Sequence, residues 1–361
     1  MTHTHLAGIF ILVATAFSTC PGLAPAAPFQ KGDIFVNNFI PDKIQQYAAN
    51  GTLVDTYFGP GVVWEGVGIT PDGRVVTSFR GPSSGFSEFR AGGINIFGPD
   101  GSLSTFPIPQ VNLAGDFSVF HDGTIAVSSQ FGSTLELYSR FGSHLRSISH
   151  PGFAGDRSPF GTAVGPDDTI WCALGRFPTI QHFAKDGTHL GSFDAAANVG
   201  DLVVDHVDGT LWLPGQDGNQ VYHYSPQGVL LGSFSTLISP QSQRFNGVAM
   251  SPQRTLYLVS EVSHSIYHYD RSGNILGQIP LASSHQPLFL SVMLIPEPST
   301  ATIAVFVAIA MITSRAVGKR RGGFPDPCNR LGIGVRSAAD CARNLMATES
   351  ARGAGICREC R

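Results

Sequence analysis

Short apolar segments alternate with turn residues through most of the chain, and the arrangement repeats. In each copy an apolar residue is followed by two residues of any type, an aromatic residue, three more residues of any type and a turn residue. A further apolar segment follows the turn. The six copies end at Gly51, Gly101, Gly142, Gly187, Gly228 and Gly273, which are separated by 50, 41, 45, 41 and 45 residues. This spacing is typical of four-stranded propeller blades. We predict that each glycine closes a hairpin turn with positive φ.

A second hairpin pattern lies between the copies and predicts the two inner strands of each blade. Its turns fall at Gly73, Gly123, Asp168, Gly209 and Arg254. These are five complete hairpins, and the sixth blade can be assembled from both ends of the body. We predict that Leu288–Met293 is its innermost strand and pairs with Asp33–Val36, because this overlap closes the ring and removes exposed strand edges.

The repeated phrases resemble those of NHL-type and related six-bladed β-propellers over residues 31 to 294. The predicted fold is therefore all-β, with a six-bladed propeller in residues 28–294; five or seven blades are the alternatives. Composition agrees, because 42 Gly and 24 Pro with only 14% charged residues favour short strands and tight turns over surface helices.

The N-terminal residues 1–27 predict a signal peptide. Residues Leu6 to Phe17 form an apolar run that is too short for a stable membrane anchor, and Ala24-Pro25-Ala26 fits a small-residue cleavage site. A buried N-terminal strand is the alternative. Export of the body follows from the first interpretation.

Residues 295–321 predict a sorting signal with a transmembrane helix. The triplet Pro296-Glu297-Pro298 precedes an uncharged run, Ser299 to Ser314, which a basic group follows. The basic residues are Arg315, Lys319, Arg320 and Arg321. Basic residues after an apolar segment set a cytoplasmic end, so residues 299–318 are expected to cross a membrane with their basic end in the cytoplasm.

This segment resembles the PEP-CTERM sorting signal. The resemblance implies processing by an exosortase-type protease of a Gram-negative bacterium, with the triplet as the recognition element. It also implies that residues 299–318 anchor the chain in the inner membrane before processing, and that the body is then delivered to the cell surface, outer envelope or extracellular matrix. An ordinary C-terminal anchor is the alternative.

Residues 322–361 form a basic tail that departs from this pattern. It contains Cys328, Cys341, Cys357 and Cys360, whereas the body contains only Cys172. We expect a disordered read-through extension; a zinc site is the alternative, although the cysteine spacing suits it poorly.

Charge argues against nucleic acid as a partner. Residues 28 to 295 carry 13 Lys and Arg against 21 Asp and Glu, a formal charge of −8. Binding of phosphates requires a basic stripe, which this acidic body does not offer.

The sequence contains none of the common catalytic motifs: no nucleophile elbow, phosphate loop or zincin helix. In a propeller, residues at the starts of the innermost strands surround one mouth of the central channel. These residues are Glu65, Asp116, Phe160, Asp201 and Asn246. Four of them offer the hard oxygen ligands that Ca²⁺ prefers. The alternative is that the aspartates cap strand ends or bind turn amides.

The sequence segments around Glu65 and Asn246 resemble segments of the gluconolactonase-like propellers. Members of that family hold a divalent metal in the channel mouth and hydrolyse lactones or esters. The resemblance implies Glu65, Asp116, Asp201 and Asn246 as metal ligands. The family order is Glu, Asn, Asn, Asp, whereas here Asn comes last and Phe160 occupies a ligand position.

Two functions remain open. The first is a non-catalytic surface module that binds extracellular protein or polysaccharide; the second is a metal-dependent lactonase, esterase or lyase. The incomplete ligand set favours the first.

Two sets of repeated side chains are expected to be structural. His182, His223 and His268 share one repeat position and are expected to point outward, whereas Trp171, Trp212 and Tyr257 are expected in the core.

Overall fold

The structure is a computed structural model. It describes residues 29–38, 43–59, 62–80, 91–155, 157–175, 177–216, 219–236, 245–282 and 287–294, with the backbone alone at 62–65, 80 and 91. All of them belong to the first of the two units into which the chain divides, Met1–Ile295 and Pro296–Arg361.

The described residues form six antiparallel sheets of four strands each, so the prediction of a six-bladed all-β propeller is confirmed. In chain order the strands are β1 (Ile34–Asn38), β2 (Lys43–Tyr47), β3 (Leu53–Tyr57), β4 (Val62–Ile69), β5 (Val75–Arg80), β6 (Ala91–Phe97), β7 (Leu103–Pro107), β8 (Ala114–Val119), β9 (Ile125–Ser129), β10 (Thr134–Tyr138), β11 (His144–Ser149), β12 (Thr162–Val164), β13 (Thr169–Ala173), β14 (Thr179–Ala184), β15 (His189–Asp194), β16 (Val203–Val204), β17 (Leu211–Pro214), β18 (Gln220–Tyr224), β19 (Leu230–Ser235), β20 (Phe245–Met250), β21 (Leu256–Ser260), β22 (Ser265–Tyr269), β23 (Ile275–Pro280) and β24 (Pro287–Val292). A single 3₁₀ turn, Pro151–Phe153, is the one helical element among the described residues.

Blade 1 is closed by the last strand of the body, as predicted. Its order is β24-β1-β2-β3, whereas blades 2 to 6 each use four consecutive strands, from β4–β7 to β20–β23. Val292 pairs with Ile34 and Leu290 pairs with Val36. Because β24 pairs with β1, blade 1 has four strands like the other blades, and the two ends of the body are joined within one sheet.

The core consists of six apolar clusters, one at each interface between neighbouring blades. The cluster between blades 6 and 1, for example, joins Val259 and Ile266 to Ile34 and Val292. Sheets pack face to face through alternate side chains, so residues with a two-residue period fill these interfaces. Trp171, Trp212 and Tyr257 are buried in them, as the sequence predicted.

The repeated turns have the backbone conformation that the sequence predicted. All six glycines of the first pattern have φ between 77° and 87°. In the second pattern the turn position also has positive φ, including Asp168 at 63° and Arg254 at 62°.

Several of these glycines also contact the neighbouring blade. A Cβ added at Gly228 would lie 2.6 Å from Cγ of Phe193, and one at Gly273 would lie 2.5 Å from Cβ of Phe234. The repeat therefore requires glycine for two reasons, turn conformation and close packing.

The propeller has two distinct faces. The mouth face is the one at which the innermost strands begin, and the turn face carries the hairpins that contain the repeated glycines. Both ends of the body lie at the turn face, where N–H of Gly32 donates to the carbonyl of Met293 at 2.9 Å. The mouth face is therefore formed by inter-strand connections alone.

Candidate functional site

One residue from each blade contributes to a ring around the channel, which we call the inner ring: Gly66, Asp116, Gly161, Asp201, Gly247 and Phe289. The three glycines pack directly on the backbone of the next blade. An added Cβ at Gly66, Gly161 or Gly247 would lie 2.9, 2.6 or 2.9 Å from the Cα atom of the ring residue that follows. Glycine therefore alternates with a residue that carries a side chain, because only one of two adjacent positions has room.

Irregularities in strand pairing determine where the residues around the channel lie. The pairing of β8 with β9 shifts register between Ala114 and Phe117, which puts Asp116 in a bulge. Corresponding shifts occur between Val63 and Val67 and between Phe245 and Gly247. Bulges redirect individual side chains, so these strands do not follow simple alternation at the channel.

Asp116 and Asp201 each hydrogen-bond to the next blade. Oδ2 of Asp116 accepts from N–H of Thr162 at 2.9 Å, and Oδ2 of Asp201 accepts from N–H of Val248 at 2.8 Å. Oδ1 of Asp201 also accepts from N–H of Leu202 at 2.8 Å. The two aspartates thus bind backbone amides, which is the structural alternative considered above.

Both carboxyl groups are buried, with exposures of 5% and 3%. Burial raises the pKa of Asp116, and burial together with the charge of Asp116 raises the pKa of Asp201 well above its usual value. Hydrogen bonds from amides oppose these shifts without cancelling them. The two groups are therefore electrostatically linked, although blade 4 lies between their positions in the ring.

Phe160 and Phe289 approach each other from opposite sides of the ring. Phe160 precedes β12 of blade 4, Phe289 belongs to β24 of blade 1, and their ring centroids are 5.7 Å apart. Blades 1 and 4 face each other in a ring of six. The two phenyl rings therefore approach each other across the channel.

Asn246 and Glu65 are the two remaining predicted ligands. Nδ2 of Asn246 donates to Oε2 of Glu261 at 2.9 Å, a partner that the sequence analysis did not identify. The backbone of Glu65 belongs to β4, and its side chain lies outside the described part of the structure.

The described His, Cys, Asp and Glu side chains supply no complete ligand set for a divalent metal at the mouth. Among them, no three His, Cys, Asp or Glu side chains come close enough to hold an ion. Asp116 and Asp201 already accept amide hydrogen bonds, and phenyl rings meet across the channel. The assignment of all four residues to Ca²⁺ stays a prediction.

Three histidines stack on aromatic rings of the adjacent strand, instead of pointing outward as expected. His182 lies 3.6 Å from Trp171, His223 lies 3.9 Å from Trp212 and His268 lies 4.2 Å from Tyr257, measured between ring centroids. Each pair is also a cross-strand pair on the second and third strands of its blade. The sequence signal was present, because the aromatic and the histidine recur together in three consecutive blades.

Burial lowers the pKa of all three histidines, so their neutral forms are favoured near pH 7. Oγ1 of Thr169 donates to Asp167 and therefore accepts from Nε2–H of His182 at 2.8 Å. These histidines are part of the blade interiors and not of the channel.

The sorting residues Pro296, Glu297, Pro298, Arg315, Lys319, Arg320 and Arg321 lie outside the described residues. So do residues 1–28, which include the predicted signal peptide. Within the part of the chain that the structure describes, no helix has the length and apolar character needed to span a membrane.

Comparison with known proteins places the fold among propellers of varied function. The structure is similar to virginiamycin B lyase from Staphylococcus aureus, with 16% identity and a TM-score of 0.55 over 73% of this chain and 86% of that one. It is also similar to a chain in a nidogen/laminin complex, with 15% identity and a TM-score of 0.59 over 72% of this chain and 98% of that one.

A protein of unknown function from Bacteroides caccae shows a comparable likeness, with 12% identity and a TM-score of 0.57 over 73% of this chain and 99% of that one. No protein-family model and no curated protein sequence matched the chain. At these identities the likeness defines a six-bladed β-propeller and assigns no activity.

Proposed function

We propose that this protein is an exported, non-catalytic binding module that engages extracellular protein or polysaccharide through the mouth face of its propeller. The observation that carries the proposal is that residues at the channel are engaged with one another: Asp116 and Asp201 bind inter-blade amides, and Phe160 approaches Phe289 across the channel. Catalysis in the channel would require polar groups that are open to a substrate.

The connections at the mouth face support this proposal because they vary among blades. Residues 81–90 connect β5 to β6, whereas residues 130–133 connect β9 to β10. The hairpins of the turn face instead follow one repeated pattern. Variable connections on a uniform scaffold are where propellers and other folds usually place binding residues.

Two exposed aromatic side chains allow a matched test. Phe131 follows β9 at the mouth face and is 58% exposed, whereas Phe141 follows β10 at the turn face and is 75% exposed. The full chain, purified in detergent, would be passed over immobilised extracellular polysaccharide and matrix protein of its host. We expect Phe131→Ala to weaken retention several-fold and Phe141→Ala to leave it unchanged. Equal effects of both changes would contradict binding through the mouth face.

The alternative function is a metal-dependent lactonase, esterase or lyase, and the fold likeness to virginiamycin B lyase is what favours it. It would be tested by incubating the same preparation with lactones and streptogramins in the presence of Ca²⁺ or Mg²⁺. Turnover that Asp116→Asn or Asp201→Asn abolishes would replace the binding proposal with an enzymatic one.

The proposal includes export and surface sorting through residues 1–27 and 296–321. Its support is the order of Pro296-Glu297-Pro298, an apolar run and a basic group in the sequence. In a Gram-negative host with the matching exosortase, mass spectrometry should find a mature C-terminus near residues 296–299. Intact chains ending at Arg361 in the surface fraction would count against processing.

A further inference from the structure

We propose that one part of the propeller rim rests on the surface of the membrane that holds the proposed anchor, residues 299–318. This part, which we call the apolar sector, consists of six side chains: Leu53, Val54, Leu230, Leu231, Ile275 and Leu276. The contact rests on the membrane anchor of the proposed function, and it adds which side of the body faces the lipid.

The six residues occupy one repeat position in three neighbouring blades. They are the first two residues of the outermost strands β3, β19 and β23, directly after the hairpins of the turn face. All six are aliphatic and 38–52% exposed. Because blade 6 packs against both blade 5 and blade 1, these side chains lie along one stretch of the rim, at the edge of the turn face.

The other three blades do not continue this surface. Each has a single exposed apolar residue among the first two residues of its outermost strand: Leu103 in β7, Leu145 in β11 and Leu190 in β15. Apolar side chains scattered singly are ordinary on protein surfaces, whereas a concentration of them marks an interaction site. The apolar residues are concentrated in blades 5, 6 and 1.

Charge follows the same division among the turns that precede these strands. The turns of blades 2 to 4 carry Asp100, Arg140, and Lys185 with Asp186, whereas residues 225–228 of blade 5 and 48–51 of blade 1 carry no charged residue. The turn of blade 6 contains one residue of each sign, Asp270 and Arg271. Nη2 of Arg271 lies 3.5 Å from Oδ2 of Asp208 in blade 5, so this cation is already paired. The apolar sector is therefore without net charge.

The chain leaves the body from one of the three blades of the sector. N–H of Met293 donates to the carbonyl of Asp33 at 2.8 Å, which fixes this end of the body at the turn face of blade 1. Ser299, the first residue of the uncharged run, follows Leu294 by five residues, which span at most about 18 Å. A tether this short keeps the turn face at a high effective concentration beside the membrane, so weak apolar contacts are sufficient.

The chemistry of the sector suits a lipid surface. Aliphatic side chains enter the boundary between headgroups and acyl chains. The body as a whole is acidic, and the anionic lipids of a membrane repel it. An uncharged apolar surface is therefore the part of the body that can approach the lipid. The mouth face lies at the opposite ends of the strands and stays open to an extracellular ligand.

The test uses the full chain in vesicles of phosphatidylethanolamine and phosphatidylglycerol. Leu231→p-benzoylphenylalanine places a photoreactive ring in the apolar sector. Leu145→p-benzoylphenylalanine is the matched control, because both residues are second in an outermost strand and half exposed. After irradiation, mass spectrometry measures the fraction of the chain that is joined to lipid. We expect several-fold more lipid adduct at position 231 than at position 145.

Equal lipid labelling at both positions, or none at position 231, would overturn the proposal. A covalent dimer formed at position 231 in place of the lipid adduct would assign the sector to a second copy of the chain and would also overturn it. Alkaline carbonate washing of the vesicles tests the anchor in parallel. A chain that resists washing but carries no lipid contradicts the apolar sector alone, whereas a chain that is washed off contradicts the anchor and the sector with it.

A measurement on the wild-type chain makes the test independent of these variants. Vesicles that contain a phospholipid with a diazirine in its upper acyl chain label the residues that enter the lipid. Peptide mapping should find the label on peptides that contain β19 and β23, and not on peptides that contain β11 and β15. Label on all four strands, on none of them, or on β11 and β15 alone would refute the contact.

Discussion

The contact between Gly228 and Phe193 allows a sharp test of why the repeat contains glycine. Gly228 has φ of 77°, and an added Cβ would lie 2.6 Å from Cγ of Phe193 in the preceding blade. Gly228→Ala therefore combines two costs. A left-handed conformation costs an alanine about 1–2 kcal/mol, and overpacking adds about 1–3 kcal/mol. The sum is about 2–5 kcal/mol, which lowers the melting temperature by roughly 5–15 °C in a domain of this size.

Substitutions at two other glycines allow the conformational cost and the packing cost to be measured separately. Gly155 has φ of 69° with no atom within 4 Å of an added Cβ, so Gly155→Ala should cost only the conformational part. Gly232 lies within β19 with open space around an added Cβ, and Gly232→Ala should be neutral or slightly stabilising.

Denaturant unfolding monitored by tryptophan fluorescence would give the three free-energy changes. The double variant Gly228→Ala/Phe193→Ala should lose less stability than the sum of the single variants, because the smaller side chain removes the clash. Equal losses for Gly228→Ala and Gly155→Ala, with additive behaviour of the double variant, would refute the packing argument.

Three further predictions concern the channel, the closure and the histidines. Phe289→Ala should lower the free energy of unfolding by about 3–5 kcal/mol, since Phe289 is buried at the centre of the ring; a loss below about 1 kcal/mol in urea unfolding would contradict this role. A chain ending at residue 286 lacks β24 and should not give a cooperative thermal transition, whereas one ending at residue 294 should; circular dichroism distinguishes them. Acidification below about pH 6.5 should destabilise the fold because burial lowers the pKa values of the stacked histidines. Their contribution is full above the unfolded value near 6.5 and is lost as pH falls through the lowered folded values. His268→Gln should reduce the acid-side decrease in melting temperature, and an unchanged decrease would show that the stack is not its source.

The repeat made most of the fold predictable from the sequence. The positions of hairpin glycines such as Gly51 and Gly273 follow from the backbone conformation of the turn, which neighbouring residues determine. The closure by β24 was also predictable, because one blade lacked an inner strand and a spare apolar segment followed the last copy. The predicted turn at Arg254 was correct although arginine rarely adopts positive φ, since the period fixed its place.

The candidate site was less predictable because its contacts join distant parts of the chain. Asp116 and Thr162 are 46 residues apart, and Asp201 and Val248 are 47 apart, so local patterns carry no signal for their hydrogen bonds. Glu261 was missed for a related reason: it lies in a connection outside the repeated phrases and meets Asn246 only through the fold.

The sequence by itself determined the blades, their number, the ring closure and the oxygen-bearing residues near the channel, since periodic patterns and turn conformations are local properties. Only the tertiary structure decided what those residues contact. The carboxyl groups of Asp116 and Asp201 bind neighbouring backbone amides, and Phe160 meets Phe289 from the opposite blade. Such contacts depend on bulges and on the close approach of glycines to adjacent backbone, which are consequences of packing six sheets around one axis.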